Sequence, residues 1–149
     1  MLELYQNALP VEAILQKWYR AHRDQNYGAF INFVGIVRDE NGIEGLSFDI
    51  YEPLLASWFE NWQAEARKRG ALLLMAHSEG DVLLHESSYI AAVLSPKRRV
   101  ALEMIDEFVE DFKAKAPIWK YDIVDGERIY AGDRSTPLPG SGILAPKES

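Results

Sequence analysis

The chain has 149 residues and no cysteine; the length fits one compact domain, and the composition excludes a disulfide framework, a zinc–thiolate or iron–sulfur site and a cysteine nucleophile. With 16 basic against 23 acidic side chains the formal charge is −7, which argues against general nucleic-acid binding because phosphate neutralisation needs a basic surface. The longest apolar runs, Ala71–Ala76 and Tyr89–Leu94, are far short of a membrane span, and the first residues lack the pattern of a secretory signal, so a cytoplasmic protein is expected.

In chain order, residues 2–5 read as a short strand. Pro10 opens a helix through about His22, with Val11, Ile14, Leu15 and Trp18 at helical spacing. Ala29–Val37 and Leu46–Tyr51 read as strands, and Asn41-Gly42 between them predicts a hairpin over about 29–51. Gly35 inside the first of these strands suggests a bulge or a close backbone approach. Pro53 and Gly70 bracket a second helix with Leu54, Leu55, Trp58, Phe59, Trp62 and Ala66 on its apolar face. Leu72–Ala76, Val82–His85 and Ser88–Leu94 are strand candidates, with turns at Glu79-Gly80-Asp81 and Glu86-Ser87. Ser95 is a good N-cap and Pro96 a good first residue for the longest helix, which Pro117 stops. Trp119–Val124 and Glu127–Tyr130 flank Asp125-Gly126 as a second hairpin. A single domain over 1–133 and a Pro/Gly-rich tail over 134–149 follow from the change in composition. Strands follow strands too often for a doubly wound parallel sheet, so the fold class is α+β, a mostly antiparallel sheet with about three helices.

The chain has no phosphate-loop, dinucleotide-glycine or nucleophile-elbow motif. His22, His77 and His85 show no metal-ligand spacing and read as surface or satisfied structural histidines. Lys97-Arg98-Arg99 falls in the first turn of the longest helix. There cations oppose the helix dipole at about 0.3–1 kcal/mol each, while the free N–H groups favour an anion. Either an anion site or a solvated basic turn fits that pattern. Arg38 ends a strand, where its fork can meet a phosphate or carboxylate from a fixed backbone, or simply sit exposed in a turn. Lys113 and Lys115 suit the C-terminal dipole of the same helix. Lys120 lies beside Trp119, and a lysine held against apolar surface can take part in proton transfer. Lys97 and Lys113 are sixteen residues apart, roughly 24 Å along a helix, so they serve two sites in one chain or meet across a symmetric dimer.

The segments Gly28-Ala29-Phe30-Ile31-Asn32-Phe33-Val34-Gly35-Ile36-Val37-Arg38, Tyr51-Glu52, Ser95-Pro96-Lys97-Arg98 and Lys113-Ala114-Lys115-Ala116-Pro117-Ile118-Trp119-Lys120 resemble the large, catalytic subunit of molybdopterin synthase, in the same order and spacing over about residues 1–130. The resemblance implies a hammerhead-type sheet and a homodimer core. It also implies a heterotetramer in which each large subunit binds a small ubiquitin-like sulfur carrier. The carrier's C-terminal Gly-Gly thiocarboxylate would give sulfur to cyclic pyranopterin monophosphate and form the molybdopterin dithiolene, with no cofactor or metal of the large subunit's own. It implies Lys113 as the main catalytic lysine and Lys120 as its assistant. Arg38 would bind the pterin or its phosphate, and Lys97 and Arg98 of the other protomer would hold the cyclic phosphate. A basic residue follows the last hairpin in the family, and Arg134 is its nearest match. Two departures stand out: Lys97 occupies the position of a usual histidine, and the Pro/Gly tail does not resemble the usual ending. Lys97 leaves a second expectation, a non-catalytic module that docks a ubiquitin-like sulfur carrier. An unrelated phosphate-ester enzyme using the Lys97–Arg99 helix end is a third, for which the chain offers neither a metal-ligand set nor a nucleophile.

Overall fold

Apolar spacing sets which faces of the three helices are buried. The computed structural model describes residues 1–131. In α1 (Val11–His22), Ile14 and Trp18, four residues apart, are buried, and the Trp18 indole N–H donates to Glu3 at 2.8 Å. In α2 (Glu52–Lys68), Leu55, Phe59 and Ala66 are buried; Pro53 sits in the first turn and Gly70, at φ +71°, follows the end. In α3 (Arg98–Lys115), Ala101, Met104 and Phe108 are buried. The Ser95 hydroxyl accepts the Ala101 N–H at 3.1 Å and donates to the Lys97 carbonyl at 2.6 Å. Ser95 therefore ties down the approach to the helix, but it is not the N-cap and Pro96 is not the first residue: Ser95 ends β5, Lys97 holds the N-cap position, and the helix begins at Arg98.

Seven strands complete the fold: β1 (Leu2–Gln6), β2 (Ala29–Ile36), β3 (Gly45–Ile50), β4 (Leu72–Leu83), β5 (Ser87–Ser95), β6 (Ile118–Val124) and β7 (Glu127–Tyr130). Their order is β2-β5-β4-β3-β6-β7, with β1 added to β4 in parallel and every other pairing antiparallel. The expected α+β class, mostly antiparallel sheet and three helices are what the chain forms. β4 carries both halves of the sheet: residues 72–77 pair with β5, and residues 80–83 pair with β3. Sheet residues alternate between two cores. Leu73, Met75, Tyr89, Ala91 and Val93 face α2 and α3, whereas Leu74, Ala76, Ile90, Ala92 and Leu94 face α1. No helix among the described residues is long and apolar enough to cross a membrane.

Two expectations are corrected. Residues 29–51 are not a hairpin, because β2 pairs with β5 while β3 lies between β4 and β6. Asn41 and Gly42 do turn the chain, with φ of +57° and +72°, but the strands they join diverge into different sheet halves. The Val37 N–H bonds to Glu86 and its carbonyl accepts the His85 N–H, carrying the β2 line on beside β5. Alternation marks a strand without choosing its partner. Glu79-Gly80-Asp81 is likewise no turn: it lies inside the continuous β4, where Gly80 takes φ +80° and the Asp81 N–H bonds the Asn7 side chain at 3.3 Å. The reversal comes later, at residues 84–86, with His85 at φ +70°. The irregularity expected at Gly35 is present, as a register shift between Gly35 and Ile36.

Gly28 fixes the start of α3. Its N–H reaches the carbonyls of Ser95 and Pro96 at 3.1 and 3.2 Å, and a Cβ there would stand 2.4 Å from the Pro96 carbonyl oxygen. That neighbour is backbone and cannot rotate away. Gly28→Ala is expected to cost about 1–3 kcal/mol of overpacking strain, read as a lower urea midpoint with unchanged slope.

Candidate active site

The C-terminal end of α3 stops short of the sheet's second half and leaves a cleft of about 620 Å³ between them, a size suited to a small ligand or an extended peptide end. Val109, Phe112, Lys113 and Ala116 line it from one helical face, at offsets of three, four and seven. Pro117 ends α3, and the chain turns directly into β6, where the alternate residues Ile118 and Lys120 face the same cleft. Phe48, opposite Lys120 across the β3–β6 pair, supplies an apolar wall beside it. Lys113 and Lys120 are brought together because a helix end and a strand start share one short connection.

Arg38 enters from the other side. Val37 is buried and held on both backbone groups, so Arg38 leaves a fixed point at the cleft's mouth. Its side chain is 79% exposed, and the guanidinium bonds Glu40 at 2.6 Å. An exposed pair of this kind is worth about 0–1 kcal/mol, so an incoming anion can replace the Glu40 carboxylate at little cost. Lys115, by contrast, turns away to Asp111 at 3.8 Å. The two lysines of that helix end thus separate into one compensating a carboxylate and one lining the cleft.

The floor is aromatic. The Tyr89 and Phe112 rings stack with centroids 3.9 Å apart and planes within 6°. His77, paired with Tyr89 across β4 and β5, packs its ring against Phe112 and Phe48 at 5.6 and 4.9 Å. Gly35 borders this layer: a Cβ there would stand at contact distance, 3.4 Å, from the Tyr89 Cβ. Burial pushes the His77 imidazole down to about 4, and its Nδ1 lies 2.7 Å from the Ser78 carbonyl. Burial also raises the Tyr89 phenol well above its ordinary value. Both groups are neutral near pH 7. The reading of His77 as a satisfied structural histidine is half the picture: it is buried and hydrogen-bonded, but it also lines the cleft. Tyr89 carried no functional expectation at all. Only the register that sets it opposite His77 brings the two to one place.

Of the expected site residues, Arg38, Lys113 and Lys120 share this cleft. Lys97 and Arg98 do not: they are exposed at the opposite end of α3, where the first turn holds no acidic residue. Arg134 and the tail over 134–149 lie outside the described residues.

The fold and cleft together define an α+β domain whose cleft combines an aromatic floor with the cationic side chains Arg38, Lys113 and Lys120. The family model described as MoaE protein matches residues 5–115, and the chain belongs to that family. It is 51% identical over 145 residues to a protein of Helicobacter pylori (strain ATCC 700392 / 26695) named molybdopterin synthase catalytic subunit, covering 97% of this chain and all of that one. A protein of the same name from Pyrococcus abyssi is 31% identical over 117 residues, covering 74% of this chain and 79% of that one. Among solved structures, the protein–protein complex of subunits 1 and 2 of molybdopterin-converting factor from Helicobacter pylori 26695 contains a chain that matches with a TM-score of 0.89 at 51% identity, covering 97% of this chain and 99% of that one. Molybdopterin synthase from Staphylococcus aureus, at 22% identity and a TM-score of 0.73, shares the fold.

Proposed function

We propose that this chain is the catalytic subunit of a molybdopterin synthase, and that it transfers sulfur from the C-terminal thiocarboxylate of a small ubiquitin-like carrier to cyclic pyranopterin monophosphate. The observation that carries the reading is the convergence of Arg38, from the loop after β2, Lys113, from α3, and Lys120, from β6, on one aromatic-floored cleft. The near full-length likeness to a relative named as the catalytic subunit supports it. So does the likeness to a chain solved in complex with a second subunit.

The chemistry matches the residues. A chain without cysteine supplies no thiol of its own, which suits sulfur delivered on a partner. An extended Gly-Gly end fits a narrow groove because glycine lets backbone approach closely. Lys113, at the dipole end of α3, places a cation where charge accumulates when water adds to the carbonyl carbon of the thioester joining carrier and pterin; the C–S bond then breaks, leaving the sulfur on the pterin and a carboxylate on the carrier. Lys120 lines the same space and assists. Arg38 exchanges Glu40 for the pterin phosphate. Lys97 and Arg98 act on the cleft of a second protomer in a homodimer, which answers their separation from Lys113 along α3. Lys97 in place of the family's usual histidine keeps a charge for phosphate and forgoes an imidazole proton relay.

The test is one reconstituted turnover: purified protein, cyclic pyranopterin monophosphate and thiocarboxylated carrier, assayed for the dithiolene. Product is expected. Carrier binding without product in any combination would replace the enzyme with a docking module, and neither binding nor product with the native carrier would overturn the reading.

A further inference from the structure

The cleft holds one polar group that nothing in the protein satisfies. The Tyr89 hydroxyl is buried without a hydrogen-bond partner, on a residue only 5% exposed that lines the cleft. A buried hydroxyl left unmade is costly, and the native exceptions call for a cause. Stacking on Phe112 and tilted contacts with Phe33 and His77, at 5.9 Å each, hold the ring, so the hydroxyl does not swing out to solvent. Beside it stands His77. The Ser78 carbonyl only accepts, so the imidazole proton resides on Nδ1 and Nε2 keeps its lone pair. One neutral donor and one neutral acceptor thus lie on paired residues of β5 and β4.

We propose that the Tyr89 hydroxyl and His77 Nε2 form a hydrogen-bonding pair at the cleft floor that reads an amide edge, an N–H beside a C=O, on the bound ligand. The inference rests on the functional reading above and extends it from the charged rim to the neutral floor. The rim cations recognise charge and tolerate any phosphate or carboxylate of suitable size. A donor and an acceptor carried on packed rings, with centroids 5.9 Å apart, discriminate by pattern, because a ligand without the complementary edge leaves the Tyr89 hydroxyl buried and unpaired. Both expected ligands contain such an edge: the lactam of the pterin ring and the terminal peptide of the carrier. The flat Tyr89–Phe112 stack and the Phe48 wall suit either a planar ring or a glycine backbone.

Tyr89→Phe removes the hydroxyl and keeps the stack. In the reconstituted complex, the KM for cyclic pyranopterin monophosphate and the Kd for the unmodified Gly-Gly carrier are measured for wild type and variant. One of the two is expected to rise about 3- to 10-fold, exceeding any change in kcat, while the unfolding midpoint of the free protein does not fall. A rise in KM assigns the pair to the pterin edge; a rise in carrier Kd assigns it to the peptide end. Unchanged KM and Kd in an active complex overturn the pair alone, as does a variant whose only change is lost stability. A wild type that neither binds carrier nor turns over overturns the functional reading and the pair with it.

Discussion

Lys113→Ala is expected to lower turnover about 10²–10³-fold, the effect of removing one preorganised group that stabilises transition-state charge. Carrier binding and thermal stability are expected to stay close to wild type. Lys113 is exposed in the last turn of α3, and among the described residues no carboxylate is paired with it. Its removal therefore breaks no internal ion pair and leaves no buried charge, and exposed sites of that kind change stability by about 0.5 kcal/mol or less. Lys115→Ala is the matched control: it removes a cation two residues away that is held by Asp111, and turnover should survive. If Lys113→Ala and Lys115→Ala reduced turnover equally, the effect would belong to the general field of the helix end rather than to a group in the cleft.

Acid should weaken the fold through His77. Its folded-state value of about 4 lies below the ordinary 6.5, with burial as the cause and the Ser78 carbonyl opposing it. The unfolded chain therefore binds a proton at a pH where the folded chain does not. Stability is fully present above pH 6.5 and is lost as pH falls toward 4, by about 3 kcal/mol over the whole window and about 2 kcal/mol by pH 5. Carboxylates also titrate there, so the measurement is a difference. Urea midpoints at pH 7 and pH 5 are compared for wild type and His77→Gln, and the wild type should show the larger drop. Parallel profiles would mean that His77 takes up its proton in the folded state without penalty.

The residues differ in how far they could be read from the chain. Lys113 and Lys120 were legible because one helix end, one proline and one strand start bring them together within eight residues. The apolar faces of α1 and α2 were legible for the same local reason. Arg38 was legible as a strand-end arginine, but its place opposite the lysines depends on β2 lying beside β5, the pairing that the Asn41-Gly42 signal concealed. That turn is real, yet a turn constrains four residues and says nothing about where the following strand finds its edge. His77 and Tyr89 were hidden more deeply. One read as a surface or satisfied structural histidine just past a strand and the other as part of an apolar run. Their chemistry comes from a cross-strand register and from a hydroxyl whose lack of a partner only three-dimensional packing reveals. Gly80 misled because positive φ inside a bent strand and positive φ in a turn draw on the same residue.

The parallel seat of β1 on β4 has a temporal side. Leu2 pairs with Met75, so the first strand leaves the ribosome about seventy residues before its partner, a wait on the order of 4–15 s at 5–20 residues per second. During that interval Glu3 can already hold Lys17 and Trp18 of α1, so β1 waits as part of a local unit instead of as a bare apolar segment. Once β4 emerges, it can pair with β1 and β3, and then with β5 as that strand follows, and until then an unclaimed stretch of it is an open edge for another chain. Damage to the Glu3–Trp18 contact should therefore show first as misassembly during synthesis, in the soluble yield, before it shows in the melting of protein that has already folded.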